Sequence, residues 1–210
     1  MSKGDDFERD MCHYLSLWIS NGEFSWPLKK AADLEEKAYP SIFWRNRTRR
    51  TILSPDGKHQ LGDIMATDPI GHPFVKLFNV ELKTGYSKTK RGKRVKNIPW
   101  DLLDLIDYAA GKVGSFVLLD FWEQTKNDAE LSKRIPLLIF SRDYHVPVVC
   151  IANHMVNKIN DLVGGFINDT LQFSPYGLKR NLVFFRADDF FKWLTPEIVE
   201  LLYNKESDEK

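Results

Sequence analysis

The 210-residue chain has only two cysteines, Cys12 and Cys150, set far apart in apolar surroundings and with no CxxC pair. That argues against a disulfide framework or a paired-cysteine zinc site, and both thiols read as small buried hydrophobes of a reducing compartment. Net charge is also scarce, at +1, so no bulk field announces a nucleic acid or a membrane, and any such partner must be met by a local patch. No apolar run approaches the roughly 18 residues of a spanning helix, so no membrane partner is expected. The polar, acidic start MSKGDDFERD lacks the character of a signal peptide. A Walker-type phosphate loop, a GxSxG elbow and an HExxH helix are all missing. The five histidines (His13, His59, His72, His145, His154) are scattered rather than set at ligand spacing. What these absences leave is a cytoplasmic α/β or α+β domain without the commoner catalytic signatures.

Hydrophobic residues are plentiful, at 43% with 14 Phe and 6 Trp, enough for a sizeable core. The length suits a single domain over residues 1–210, with a core over about 5–152, a C-terminal elaboration over about 153–203 and a frayed tail at 204–210. Asp5 to Ser20 carries Phe7, Met11, Tyr14, Leu15, Trp18 and Ile19 at helical spacing. Further helices are expected over Leu28 to Lys37, Asn97 to Ala110, Asn153 to Asn160 and Pro196 to Tyr203. Phe116 to Trp122, Arg134 to Phe140, Val146 to Ala152 and Leu182 to Phe185 read as short apolar strands.

The stretch His59 to Gly85 holds the least ordinary chemistry. Gly62-Asp63 precedes a Pro- and Gly-rich turn (Asp68 to Pro73), and a strand-like run ends in Glu81-Leu82-Lys83. Strand alternation places Glu81 and Lys83 on one face and Val80 and Leu82 on the other, and charged groups do not enter a sheet face cheaply. If Asp63 ends the neighbouring strand of a hairpin, two acids and a lysine converge. Two carboxylates on adjacent strands hold a hard divalent cation, aided by the Leu82 backbone carbonyl, and a lysine beside them orients water or meets charge at phosphorus. The bland alternative is a surface ion pair between Glu81 and Lys83, worth little.

Two basic segments flank this stretch. Arg45, Arg47, Arg49 and Arg50 follow Phe43 and Trp44, a combination suited to phosphate contact and base stacking, or else a solvated loop. Lys88, Lys90, Arg91, Lys93, Arg94 and Lys96 are six cations in nine residues and read as a mobile phosphate-gripping loop. Glu8, at the start of the first helix's apolar stripe, is either a site residue or the partner of Asp5 in a capping box.

Gly62-Asp63, an eighteen-residue step to Glu81, and Val80-Glu81-Leu82-Lys83 resemble the PD-(D/E)xK nuclease superfamily. With Asp6-Phe7-Glu8-Arg9 before them, they are similar to the archaeal-type Holliday junction resolvases and related phage endonucleases. The resemblance implies a restriction-endonuclease-like α/β core, a central mixed β-sheet flanked by helices. It implies Glu8, Asp63 and Glu81 as metal-linked acids and Lys83 as catalytic lysine, with Mg²⁺ as cofactor and Mn²⁺ as its substitute. DNA is the implied partner, branched or otherwise structured, in a prokaryotic or phage-infected cytoplasm, and cutting both strands implies a homodimer. The chain departs from the pattern in two places. No proline precedes Asp63, and the helix expected after Lys83 lacks the usual glutamine, leaving Asp101 and Tyr108 as its polar candidates. A non-catalytic nucleic-acid-binding module and a sequence-specific restriction-type endonuclease are the alternatives.

Overall fold

The computed structural model describes residues 3–22, 24–27, 40–46, 62–84, 89–90, 93–94, 117–141, 145–165, 170–173 and 181–208. The expected helices over Leu28 to Lys37 and Asn97 to Ala110 lie outside the described residues. So do Arg47, Arg49, Arg50, Lys88, Arg91, Lys96, Asp101 and Tyr108.

Helix α1 spans Lys3–Ile19, and its stripe from Phe7 to Ile19 is buried as the spacing predicts. Asp5 lies inside this helix rather than at its cap, which removes the capping-box reading of Asp5 and Glu8. The fully buried Ser16 donates its hydroxyl to Cys12 O at 2.7 Å and accepts from the amides of Ile42 (3.2 Å) and Phe43 (2.9 Å). One helical hydroxyl thus sets where strand β1 (Phe43–Arg45) begins. Strand β2 (Ile64–Ala66) pairs antiparallel with β1, with Arg45 opposite Ile64 and Trp44 opposite Met65.

The chain then departs from the expected hairpin. The Asp68 carboxylate accepts from Ile70 N at 3.0 Å and caps a 3-10 turn, Pro69–Gly71. Helix α2 (His72–Leu77) follows with Pro73 in its first turn. Prolines early in successive helical turns are well placed, since they lack only an amide that would have no partner. Only then does β3 (Phe78–Thr84) begin. Thr89–Lys90 (β4) and Lys93–Arg94 (β5) pair antiparallel, so this part of the basic run is a short ladder rather than a loop.

The remaining described elements are α3 (Val117–Ser132), β6 (Ile135–Ser141), β7 (Val148–Ala152), α4 (Asn153–Val163), β8 (Thr170–Phe173), β9 (Leu182–Arg186), α5 (Ala187–Trp193) and α6 (Pro196–Asp208). Five strands form one sheet in the order β3-β6-β7-β9-β8. The β3–β6 pair is parallel and the others antiparallel, so the sheet is mixed, as expected for the α/β class. Val80, Leu82, Leu137, Ile139, Val149, Ile151, Val183 and Phe185 bury one face in a core shared with α1, α2, α4, α5 and α6. Leu138, Cys150, Ala152, Leu182 and Phe184 bury the other against Val117, Leu118, Phe121 and Trp122 of α3. Among the described residues no helix is long and apolar enough to cross a membrane.

Three further expectations change. Of the strand expected over Phe116 to Trp122, the described residues Val117–Trp122 instead open α3. A short apolar run fits either element, and the helical spacing that decides it continues beyond, through Thr125 and Ala129. The core, expected over about 5–152, extends into the C-terminal elaboration: β9 lies between β7 and β8, and Ile159, Phe190 and Leu202 share the core with α1. The expected frayed tail is helical through Asp208.

Candidate active site

Strand β3 lies at the edge of the sheet, and its unpaired side is taken by Asp63. The Asp63 amide donates to Val80 O at 2.8 Å, and its carboxylate Oδ2 accepts from Leu82 N at 2.7 Å. These two bonds straddle Glu81 and fix Asp63 beside it without a hairpin. The amide and carbonyl of one strand residue share a side, so the Leu82 carbonyl also faces this edge. The chain reaches this position through Gly62, at φ +79°, where a Cβ would stand 3.1 Å from Val80 O. Asn46 completes the support, its amide donating to Asp63 O at 2.7 Å and its side chain to Gly62 O at 3.2 Å.

Glu81 and Lys83 share a face, as strand alternation predicts, and form an ion pair through Lys83 Nζ and Glu81 Oε1. They are 5% and 8% exposed, so this is no surface ion pair. A buried pair must have its remaining polar atoms satisfied to offset desolvation. Gln124 of α3 donates to the same Glu81 oxygen at 3.0 Å, and the Phe121 ring lies 5.6 Å from the lysine nitrogen. Sequence reasoning missed Gln124. Assigning the preceding residues to a strand hid it, and the signal that would have found it is the helical spacing of Phe121, Thr125 and Ala129 around it.

Glu8 approaches from α1 and is held by Arg45, whose Nη1 lies 3.6 Å from Glu8 Oε2 and donates to Asp5 O (2.9 Å) and Oδ1 (3.0 Å). Arg45 is 4% exposed. Its guanidinium is turned inward onto the acids of α1, which corrects the expectation of a phosphate-gripping Arg45: in β1 it alternates with Trp44, and the inward face is the one α1 covers.

The electrostatics tie these groups into one site. Burial pushes the Asp63 carboxyl up to about 6, against the hydrogen bond from Leu82 and the charge of Lys83. Burial and then the Asp63 charge push Glu81 up to about 7, with Lys83 pulling the other way. Asp128, one turn beyond Gln124, adds repulsion to both. Glu8 is also raised, first by burial, with Arg45 opposing. Burial is the first cause of each shift and the neighbouring acids add to it, so a cation placed between these carboxylates would favour their charged forms. The donors, two carboxylates and a carbonyl, are hard oxygens that suit Mg²⁺ or Mn²⁺. Among the described residues no three His, Cys, Asp or Glu side chains are grouped to hold a metal by themselves; Glu81 is paired with Lys83 and Glu8 with Arg45. No protein-family model, curated protein or solved structure matches the chain.

Proposed function

We propose that the protein is a Mg²⁺-dependent DNA endonuclease of the PD-(D/E)xK type, built on a restriction-endonuclease-like core and acting as a homodimer. The observation that carries this reading is the clamp of Asp63 across the Glu81-Leu82 edge, with Lys83 buried on the Glu81 side chain. Asp63, Glu81 and the Leu82 carbonyl would hold the cation, which supplies Lewis acidity at a phosphate oxygen when bound. Lys83, released from Glu81, orients the attacking water and meets the added charge at phosphorus. Gln124 keeps the Glu81 carboxylate in place through this exchange. Glu8, steered by Arg45, adds a third acid at the rim. The DNA backbone is gripped by the basic run that includes Lys90, Lys93 and Arg94.

The test is cleavage of duplex, branched and single-stranded DNA with Mg²⁺, comparing the parent with Asp63→Asn and Lys83→Ala. Each variant is expected to lose at least about 100-fold in rate. Cleavage in a chelator, or variants as active as the parent, would remove the assignment. The ion pair that occupies Glu81 favours one second reading, a nucleic-acid-binding module without catalysis. Calorimetry with Mn²⁺ separates the two, since such a module has no use for a cation at Asp63.

A further inference from the structure

Phe121 and Gln124 lie about one turn apart on α3 and meet the two charged residues of β3 in reverse order. Helix α3 turns through Lys133, at φ +54°, straight into β6, which is parallel to β3, so helix and strand run antiparallel. Gln124 therefore reaches Glu81, and Phe121, nearer the helix start, reaches Lys83. The Lys83 nitrogen stands over the Phe121 ring, 5.6 Å from its centroid, and both residues are 8% exposed. Lys76 stands over Tyr203 at 5.8 Å, but Lys76 is exposed. The pull of a ring face on an ammonium is stronger where water is excluded, which favours the buried pair.

Phe121 also packs in the apolar cluster with Leu138 and Phe184. A leucine would fill that role. What a leucine does not supply is the negative face of an aromatic ring.

Glu81 and the ring act on Lys83 in different ways. Glu81 is the group that Lys83 would share with the proposed cation, whereas a benzene ring offers no oxygen to a hard cation. While Lys83 is paired with Glu81, the carboxylate offsets much of the ammonium charge. With Glu81 engaged elsewhere, the ammonium meets the ring with its full charge. The ring therefore contributes most in the cation-bound state.

We propose that Phe121 is a positioning residue for Lys83, its ring face holding the ammonium in the site while Glu81 is engaged by a cation. This rests on the nuclease reading and specifies how the same site keeps its lysine when the cation binds.

The test puts mono-, di- and trifluorinated phenylalanine in place of Phe121, which drains the ring face of negative potential in steps and nearly keeps its shape. Calorimetry with Mn²⁺ reads cation affinity without cleavage. Affinity is expected to fall with each fluorine, reaching about 2- to 30-fold with three. Urea unfolding in a chelator should move little along the series, because the packing is retained. Phe121→Leu should lose at least as much Mn²⁺ affinity as the trifluorinated protein, and Tyr203→Leu should lose none. Affinity indifferent to fluorine overturns the proposal, as does a parent that binds no Mn²⁺. Cleavage with Mg²⁺ is scored separately. A stepwise fall in affinity without any cleavage removes the nuclease reading and keeps the role of Phe121. Cleavage with an indifferent series does the reverse.

Discussion

Gly62 sets the position of Asp63, and it does so through a backbone angle. Its φ of +79° lies in the left-handed region, and a Cβ there would meet Val80 O at 3.1 Å and the Asn79 side-chain oxygen at 3.2 Å. Gly164, which ends α4 at φ +66°, has open space around the same atom. The two glycines therefore separate backbone strain from crowding. Gly164→Ala is expected to cost about 1 kcal/mol, the left-handed penalty alone. Gly62→Ala is expected to cost about 1 kcal/mol more, because Val80 O belongs to β3 and cannot yield cheaply. Urea unfolding of both variants measures the difference, and equal losses would show that nothing presses on Gly62. The same crowding pushes Asp63 off the Leu82 amide, so Gly62→Ala should also lower cleavage.

At the scale of elements, the first helix is fastened to the last third of the chain by polar contacts as well as by packing. The buried Tyr14 hydroxyl donates to Asp188 Oδ1 at 2.9 Å, and the Trp26 amide donates to the same carboxylate at 3.2 and 3.3 Å. Removing the acceptor strands a buried hydroxyl, so Asp188→Ala is expected to cost about 2–3 kcal/mol. Tyr14→Phe is expected to cost about 1 kcal/mol, because Asp188 keeps the Trp26 amide. A double-mutant cycle on chemical denaturation gives the coupling, and purely additive losses would dissolve the link. Joining α1 to α5 in this way was beyond sequence reasoning, because the two residues are 174 positions apart. Local patterns were legible: the α1 stripe, the strand alternation that pairs Glu81 with Lys83, and the strand over Arg134 to Phe140. Patterns that depend on tertiary company were not. The apolar run at Val117–Trp122 fits a buried helix as well as a strand, and its assignment as a strand concealed Gln124. Arg45 reads as a solvent-facing cation until α1 is laid across it. Asp63 reads as the end of a hairpin until Asp68 caps a 3-10 turn and α2 follows it.

At the scale of the molecule, the buried carboxyl pair is a burden on the fold that the proposed cation would lift. Asp63 and Glu81 titrate as a pair, with values raised to about 6 and about 7 from the ordinary 3.8 and 4.5. Between pH about 4 and 7 the native state thus keeps protons that the unfolded chain has released, and stability falls as pH rises through that window. At about 1.4 kcal/mol per unit, the pair's loss is on the order of a few kcal/mol above pH 7. His13, whose value burial lowers, titrates with the opposite sign in an overlapping range. The measurement is therefore a difference between the parent and the Asp63→Asn, Glu81→Gln double variant, in which His13 cancels. In a chelator, the parent's melting temperature should drop relative to the double variant from pH 5 to pH 8. A cation bound only by the native, ionised pair reverses this by mass action, with about 2.7 kcal/mol at one hundred times the dissociation constant. For a chain of this length that is roughly 5–10 °C. Saturating Mn²⁺ should therefore raise the parent's melting temperature at pH 8, do far less at pH 5 where protons hold the carboxylates, and leave the double variant unmoved. A pH-dependent drop with no Mn²⁺ rescue would establish the buried pair and remove the cation from the site.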